Sequence, residues 1–203
     1  SLGDGFVNQI PTVKLSLSSE SHWSMDWFSS RVEFAGGIAR TSTGDPVPLE
    51  ERFFAGGPSS VRGFIRNSIG PANLVAQPNI LFPSATNAVI DDRVISQSSQ
   101  YWVVTGGDMF LRASGELGVA LDSDRSSALV FFGDIGHLSF VDSAPQTSSE
   151  AQKADPWFRY AIGTGLRYQS PIGPISIDLG WNISPMEERD EQAFVTNFSM
   201  GSF

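Results

Sequence analysis

The stretch Glu50-Glu51-Arg52-Phe53-Phe54-Ala55-Gly56-Gly57-Pro58-Ser59-Ser60-Val61-Arg62-Gly63-Phe64-Ile65 sets Arg62 at the tip of a glycine-rich turn. The chemistry such a residue offers is recognition, not turnover. A planar guanidinium can bind two carboxylate oxygens at once and keeps its charge when partly desolvated. Gly63 beside it would let the chain turn tightly. Taken alone, this Arg-Gly pair reads as a solvated loop arginine.

Other chemistry is thin. His22 and His137, the two histidines of the chain, are far apart and lack ligand-spaced companions, so no metal site is expected. There is no cysteine, hence no disulfide framework and no thiolate. No Ser-His-Asp arrangement, phosphate loop or zinc motif occurs. The expectation is a protein that is not an enzyme and carries no cofactor. Asp122, Asp124 and Asp155 read as turn residues, and Glu187 to Glu191 as a solvated loop. Asn182-Ile183-Ser184 and Asn197-Phe198-Ser199 match glycosylation sequons, but both fall in strand-like runs and are discounted.

The elements that must position Arg62 are strands. Residues 12–18 alternate, with Val13, Leu15 and Leu17 opposite Lys14, Ser16 and Ser18, although this first strand is weak. Residues 27–41 place Phe28, Val32, Phe34, Gly36 and Ile38 opposite Arg31, Glu33, Ala35 and Gly37. Residues 43–105 lack sustained period, and so long an irregular segment is normally functional. Alternation resumes over 107–120, where Met109, Leu111, Ala113, Leu117 and Val119 oppose Asp108, Arg112, Ser114 and Glu116. In 128–140, Leu129, Phe131 and Ile135 oppose Val130, Phe132 and Asp134. After a polar loop over 141–156, residues 158–169 set Phe158, Tyr160, Ile162, Leu166 and Tyr168 against Arg159, Gly163, Gly165, Arg167 and Gln169. Residues 175–183 alternate strictly, and a last strand carries Phe194, Thr196, Phe198 and Met200.

This makes about seven strands of roughly 9–15 residues, longer than the ~5–6 usual in a soluble sheet. Connections near 120 and 169 are short; those after 41, 140 and 183 are long. Short turns on one side and long loops on the other are the pattern of an outer-membrane barrel. Hydrophobic content of 40% and a mean hydropathy of −0.07 do not oppose this, because a transmembrane strand needs an apolar residue only at every second position. No run approaches the ~18–20 apolar residues of a transmembrane helix. Fifteen phenylalanines and five tryptophans suit aromatic girdles. Trp23, Trp27, Trp157 and Trp181 read equally well as belt or core residues. A formal net charge of −9 argues against a nucleic-acid partner. A soluble β-sandwich, such as a lectin or coat protein, is the competing reading of the alternation.

A sheet in lipid must close, and single-chain bacterial barrels have an even strand number. Seven is odd. The expectation is therefore the C-terminal portion of a larger barrel, or a barrel completed by a companion chain. The opening Ser1-Leu2-Gly3-Asp4-Gly5 reads as a loop rather than a signal peptide.

The motif at 52–64, followed by Asn67-Ser68-Ile69-Gly70-Pro71, resembles the inward-folded sixth extracellular loop of the BamA superfamily. The resemblance continues in order. Gly106-Gly107 to Ser114-Gly115-Glu116-Leu117 is similar to the strand returning from that loop. Phe131-Phe132-Gly133-Asp134-Ile135-Gly136 is similar to the family's aromatic-Asp-x-Gly strand. Gly165 to Ile175 resembles its late hairpin, and the final strand ending at Phe203 resembles the C-terminal signal of outer-membrane proteins.

The resemblance implies an all-β fold, an antiparallel transmembrane β-barrel of which residues 1–203 are about the last seven of sixteen strands, with 43–105 as the extracellular loop. It implies a bacterial outer-membrane, multi-pass location, in contact with outer-membrane lipid. It implies a lock in which Arg62, Gly63 and Phe64 sit in the lumen against Glu116 and Asp134. The alternation independently puts both acids on the polar face. It implies a lateral seam and export signal at Phe194, Phe198, Met200, Gly201 and Phe203, with Gly201 weakening the strand. The implied activity is folding and inserting other barrel proteins, with unfolded barrel clients as partners and accessory subunits or a companion chain supplying the rest. A translocator of the two-partner-secretion or TamA kind, and a barrel anchoring an upstream soluble domain, are the alternatives.

Overall fold

The computed structural model describes residues 11–76, 100–141, 152–153 and 158–201. Ten strands follow one another among them: β1 (Thr12–Met25), β2 (Phe28–Thr41), β3 (Ala72–Ala76), β4 (Gln100–Val104), β5 (Met109–Ala120), β6 (Ser127–Ser139), β7 (Gln152–Lys153), β8 (Arg159–Ser170), β9 (Gly173–Asn182) and β10 (Phe194–Met200). Seven of them form one antiparallel sheet in the order β1-β2-β5-β6-β8-β9-β10. Each strand pairs with its sequence neighbour in the sheet, so the wall is a meander, and it is open, with β1 and β10 as its edges. The short strands β4-β3-β7 make a second sheet from the long connections.

The predicted strands are all present, with three differences. β1 runs to Met25, well beyond the expected residue 18. Its second half, Ser18-Ser19-Glu20-Ser21-His22, lacks apolar alternation and is held by its unbroken ladder with β2, from Thr12↔Thr41 to Met25↔Phe28. The segment 43–105 is not wholly irregular, since β3 and β4 pair within it from Ala72↔Val104 to Ala76↔Gln100. Gly201 lies just past β10 at φ 127° and donates its N–H to the Pro174 carbonyl, so it ends the strand rather than weakening its middle.

Side-chain alternation decides what each face meets. One face carries the long loop; on the other, Leu17, Phe34, Leu117, Phe131, Leu166, Phe198 and Met200 are all at least half exposed. Large apolar side chains therefore point away from the protein along the whole sheet, while the small apolar core (Ala55, Val61, Phe64, Ile69, Leu138 and Ala161) lies between loop and wall. A continuous exposed apolar face of this extent is unstable in water. It is what a strand wall needs in hydrocarbon.

Aromatic rings gather at both ends of that face. Trp23 and Trp27 pack edge-on against Phe28, each at 6.0 Å, beside the two-residue turn joining β1 to β2. Trp181 stacks on its cross-strand partner Phe194 at 6.0 Å near the long-loop end. Trp23, Trp27 and Trp181 are exposed, which favours the belt reading over core packing. Trp157 and Asp155 lie outside the described residues. At the β5–β6 turn, Asp122 accepts hydrogen bonds from the Ser127 and Ser126 hydroxyls, and these hold its carboxyl down to about 2.

Candidate functional site

The long loop returns to the wall through paired backbone. Phe53 bridges to Gly107 and Ala55 to Ile69. Arg52 clips both ends of the loop, donating to the carbonyls of Val47 (2.8 Å) and Thr105 (2.9 Å). Within the loop closed by the second bridge, Gly56 and Gly57 adopt φ of 105° and 98°, a left-handed region that bars ordinary side chains. Two tight turns then follow, Ser60 N–H to the Gly57 carbonyl and Phe64 N–H to the Val61 carbonyl. They deliver Arg62 onto the inner face of the wall.

Arg62 is buried and fully engaged. Its Nε and backbone N–H both donate to Asp134 Oδ2 at 2.9 Å, and one terminal nitrogen donates to Asp134 Oδ1 at 2.8 Å. The other terminal nitrogen reaches Glu116 Oε2 at 2.5 Å. Ser114 ties the set together, accepting from Arg62 at 3.1 Å and donating to Asp134 Oδ1 at 2.7 Å. The guanidinium lies over the Phe132 ring at 3.6 Å, a cation–π contact. Burial alone would lower the guanidinium's pKa; the bonds and charges of Asp134, then Glu116, outweigh it and raise it above the ordinary arginine value.

The expected trio of Arg62, Glu116 and Asp134 is thus brought together, and its neighbours extend it. Arg167 on β8 donates to Glu116 Oε2 (2.8 Å) and to Asp178 Oδ1 on β9 (2.6 Å). Toward the other edge Arg112 pairs with Glu33, and Arg31 with Glu20 at 2.6 Å. Charges of alternating sign therefore cross the inner face from β1 to β9, beside a polar cleft of about 410 Å³. Ser114, Phe132, Arg167 and Asp178 were not singled out from sequence. Inward parity was their available signal, and it gives the face of a residue but not its level along the strand.

Gly63 corrects an expectation. Its φ is not in the left-handed region, so it is not needed for a tight turn. It is needed for contact: a Cβ there would stand 2.6 Å from the Ala161 Cβ and 2.9 Å from the Trp181 carbonyl carbon. Gly180 on β9 is its counterpart, lying directly under the Arg62 carbonyl. Loop backbone and wall backbone meet with no side chain between them. Phe64 enters the core at 3% exposure, with the Arg159 guanidinium 4.9 Å from its ring.

A second correction concerns Glu187 to Glu191. Glu191 is not solvated. It accepts from the buried Arg159, from Asn182 Nδ2 (3.2 Å) and from the Met186 N–H (2.9 Å). The same connection grips the long loop, through Arg189 to the Gly70 carbonyl (3.0 Å) and through the Trp102 Nε1–H to the Glu188 carbonyl (2.8 Å). Glu191→Gln keeps the shape and removes the charge. It is expected to lower stability to urea by about 1.5–3 kcal/mol, the range for a hydrogen bond to a charged group. It should also quicken proteolysis within 184–193.

Of the seam residues, Phe194, Phe198 and Met200 form one exposed outward row on β10. Phe203 lies outside the described residues. β10 pairs with β9 from Phe194↔Trp181 to Met200↔Ile175 and leaves its other edge open.

The Omp85 superfamily domain matches residues 4–203. This chain belongs to the Omp85 superfamily. It is 25% identical over 169 residues to the outer membrane protein assembly factor BamA of Nitratidesulfovibrio vulgaris strain Hildenborough, a match covering 83% of this chain and 17% of that protein. Its fold is similar to the crystal structure of BamA from Haemophilus ducreyi lacking POTRA domains 1–3. There the TM-score is 0.65 at 18% identity, over 94% of this chain and 36% of that one. The chain thus spans about a sixth of the curated relative and about a third of the solved one. The apolar outward face is consistent with the outer-membrane setting of this family.

Proposed function

We propose that this Omp85 chain is the C-terminal wall of a sixteen-stranded barrel that folds and inserts other β-barrel proteins into the bacterial outer membrane. The observation that carries the reading is the motif loop locked to β5 and β6 through Arg62 in an Omp85 chain. Once the closing strand parts from β10, the freed edge presents a row of backbone donors and acceptors, and an incoming strand can add to it. An unfolded barrel client is the partner that supplies such a strand and also matches the outward row of Phe194, Phe198 and Met200. The remaining strands come from the rest of a longer protein or from a companion chain, and accessory subunits fit the same scheme. In this reading the Arg62 cluster is a mechanical lock, not a catalytic site.

The test uses the full-length protein in lipid vesicles with an unfolded barrel client. A disulfide joining β10 to the strand that closes the barrel is expected to abolish client insertion, and a reductant to restore it. Insertion at the full rate with the seam cross-linked would remove lateral opening from the account. A client recovered in the vesicle lumen instead of the bilayer would favour the translocator alternative.

A further inference from the structure

Arg62 is held from two sides. Its side chain binds β5 and β6, while its backbone carbonyl accepts a hydrogen bond from Asn197 Nδ2 on β10 at 2.8 Å. Because the acceptor is a carbonyl, only the amide nitrogen of Asn197 can serve, which fixes how that side chain is turned. β10 is an edge strand of seven residues, bonded along its length to β9. Its other inward contact, Ser199 to Ser176 at 2.6 Å, also ends on β9. Among the described hydrogen bonds, that of Asn197 carries β10 past its neighbour to the loop tip. Gly180 makes this possible, since any larger residue would stand where the Arg62 carbonyl sits.

We propose that Asn197 is a latch coupling the terminal strand to the Arg62 loop, so that release of either loosens the other. A single residue of the loop tip then spans β5, β6 and β10, and the edge strand is braced by elements far from it in the sheet order. Coupling of this kind is reciprocal by thermodynamic necessity: if withdrawing the loop loosens β10 by some factor, loosening β10 must free the loop by the same factor. The inference rests on the reading of β10 as the seam for its meaning, but not for its measurement. It also gives Asn197 a role within the strand, where the sequon it heads would be out of reach of any modifying enzyme.

The experiment is amide hydrogen exchange on the full-length protein in lipid, following peptides of β10 and of the loop tip around Val61 and Arg62. Asn197→Asp keeps the shape but sets acceptors against the carbonyl; Asn197→Ala removes the donor without adding charge. Each is expected to speed exchange in β10 roughly five- to tenfold, the worth of one hydrogen bond, and in the loop tip by a similar factor. Ser199→Ala is expected to speed β10 by its lost bond to Ser176 with a smaller effect on the tip. The latch is overturned if the Asn197 variants leave the loop tip unchanged, or if Ser199→Ala moves both segments equally. Failure of both Asn197 variants to fold would also overturn it, because one neutral hydrogen bond is too weak to decide folding. Exchange reads the latch whether or not the protein inserts clients, so its failure is separable from failure of the seam experiment.

Discussion

Arg62→Ala lowers the stability of the full-length protein by about 3–5 kcal/mol in urea unfolding, the cost of breaking a buried ion pair by removing one partner. The direction follows from what is left behind. Asp134 is 2% exposed and would lose three donors, two from the side chain and the one from a backbone no longer held in place. Of its described cation contacts, Glu116 would keep the one to Arg167. A buried carboxylate without its cation is far costlier than the pair was valuable, which is why the loss exceeds that of a surface salt bridge. Arg62→Lys is expected to recover less than half of the loss. An ammonium cannot reach Asp134 and Glu116 in one plane, and it forfeits the face-on contact with Phe132. Under the proposed function, client insertion is expected to fall with the lock, since the loop tip would no longer brace the wall beside β10.

Gly180→Val is expected to match Arg62→Ala without touching a charge. The added side chain would collide with Arg62 and Gly63 backbone atoms, 2.6 Å from the Arg62 carbonyl carbon and 2.7 Å from the Gly63 nitrogen. Both sides of that contact are backbone, so neither can give by a rotamer change. Overpacking costs about 1–3 kcal/mol where the surroundings can shift. Here the loop tip has an easier escape, which is to leave. The expected observation is a loop cleaved by added protease between residues 57 and 68, with the β strands still formed by circular dichroism. In that background Arg62→Ala should add almost nothing, because the two substitutions remove the same docked state.

How much of this was legible in the sequence depended on the kind of order involved. Strand faces were readable wherever apolar and polar residues alternate, as in Ile175, Ile177, Leu179 and Trp181 against Ser176, Asp178 and Gly180. β1 was half hidden because residues 18–24 offer no apolar row; its ladder with β2 is a tertiary fact. Arg62 with Glu116 and Asp134 was legible through family resemblance, with strand parity in agreement. Their companions were not, because parity says which side a residue faces and only register says which residues stand level. The register that sets Ser114 opposite Asp134 and Arg31 opposite Glu116 is fixed by hairpin turns and ladder pairing. Glu191 was misread for a related reason. A run of acids in a loop looks solvated until the buried cation it serves, Arg159 from β8, is placed beneath it. Gly63 and Gly180 were opaque as a pair, since close approach of two backbones leaves no mark on either segment alone.

The central claim is that Arg62 and Asp134 act as one docked unit inside the wall. A double-mutant cycle on urea stability tests it most directly, using Arg62→Ala, Asp134→Ala and the two combined in the full-length protein. The account predicts strong non-additivity: the double variant should be hardly less stable than either single one, so the coupling should be nearly as large as a single loss, about 3–5 kcal/mol. Losses that simply add would mean that the two side chains stabilise the protein independently, and the loop would not be locked as described.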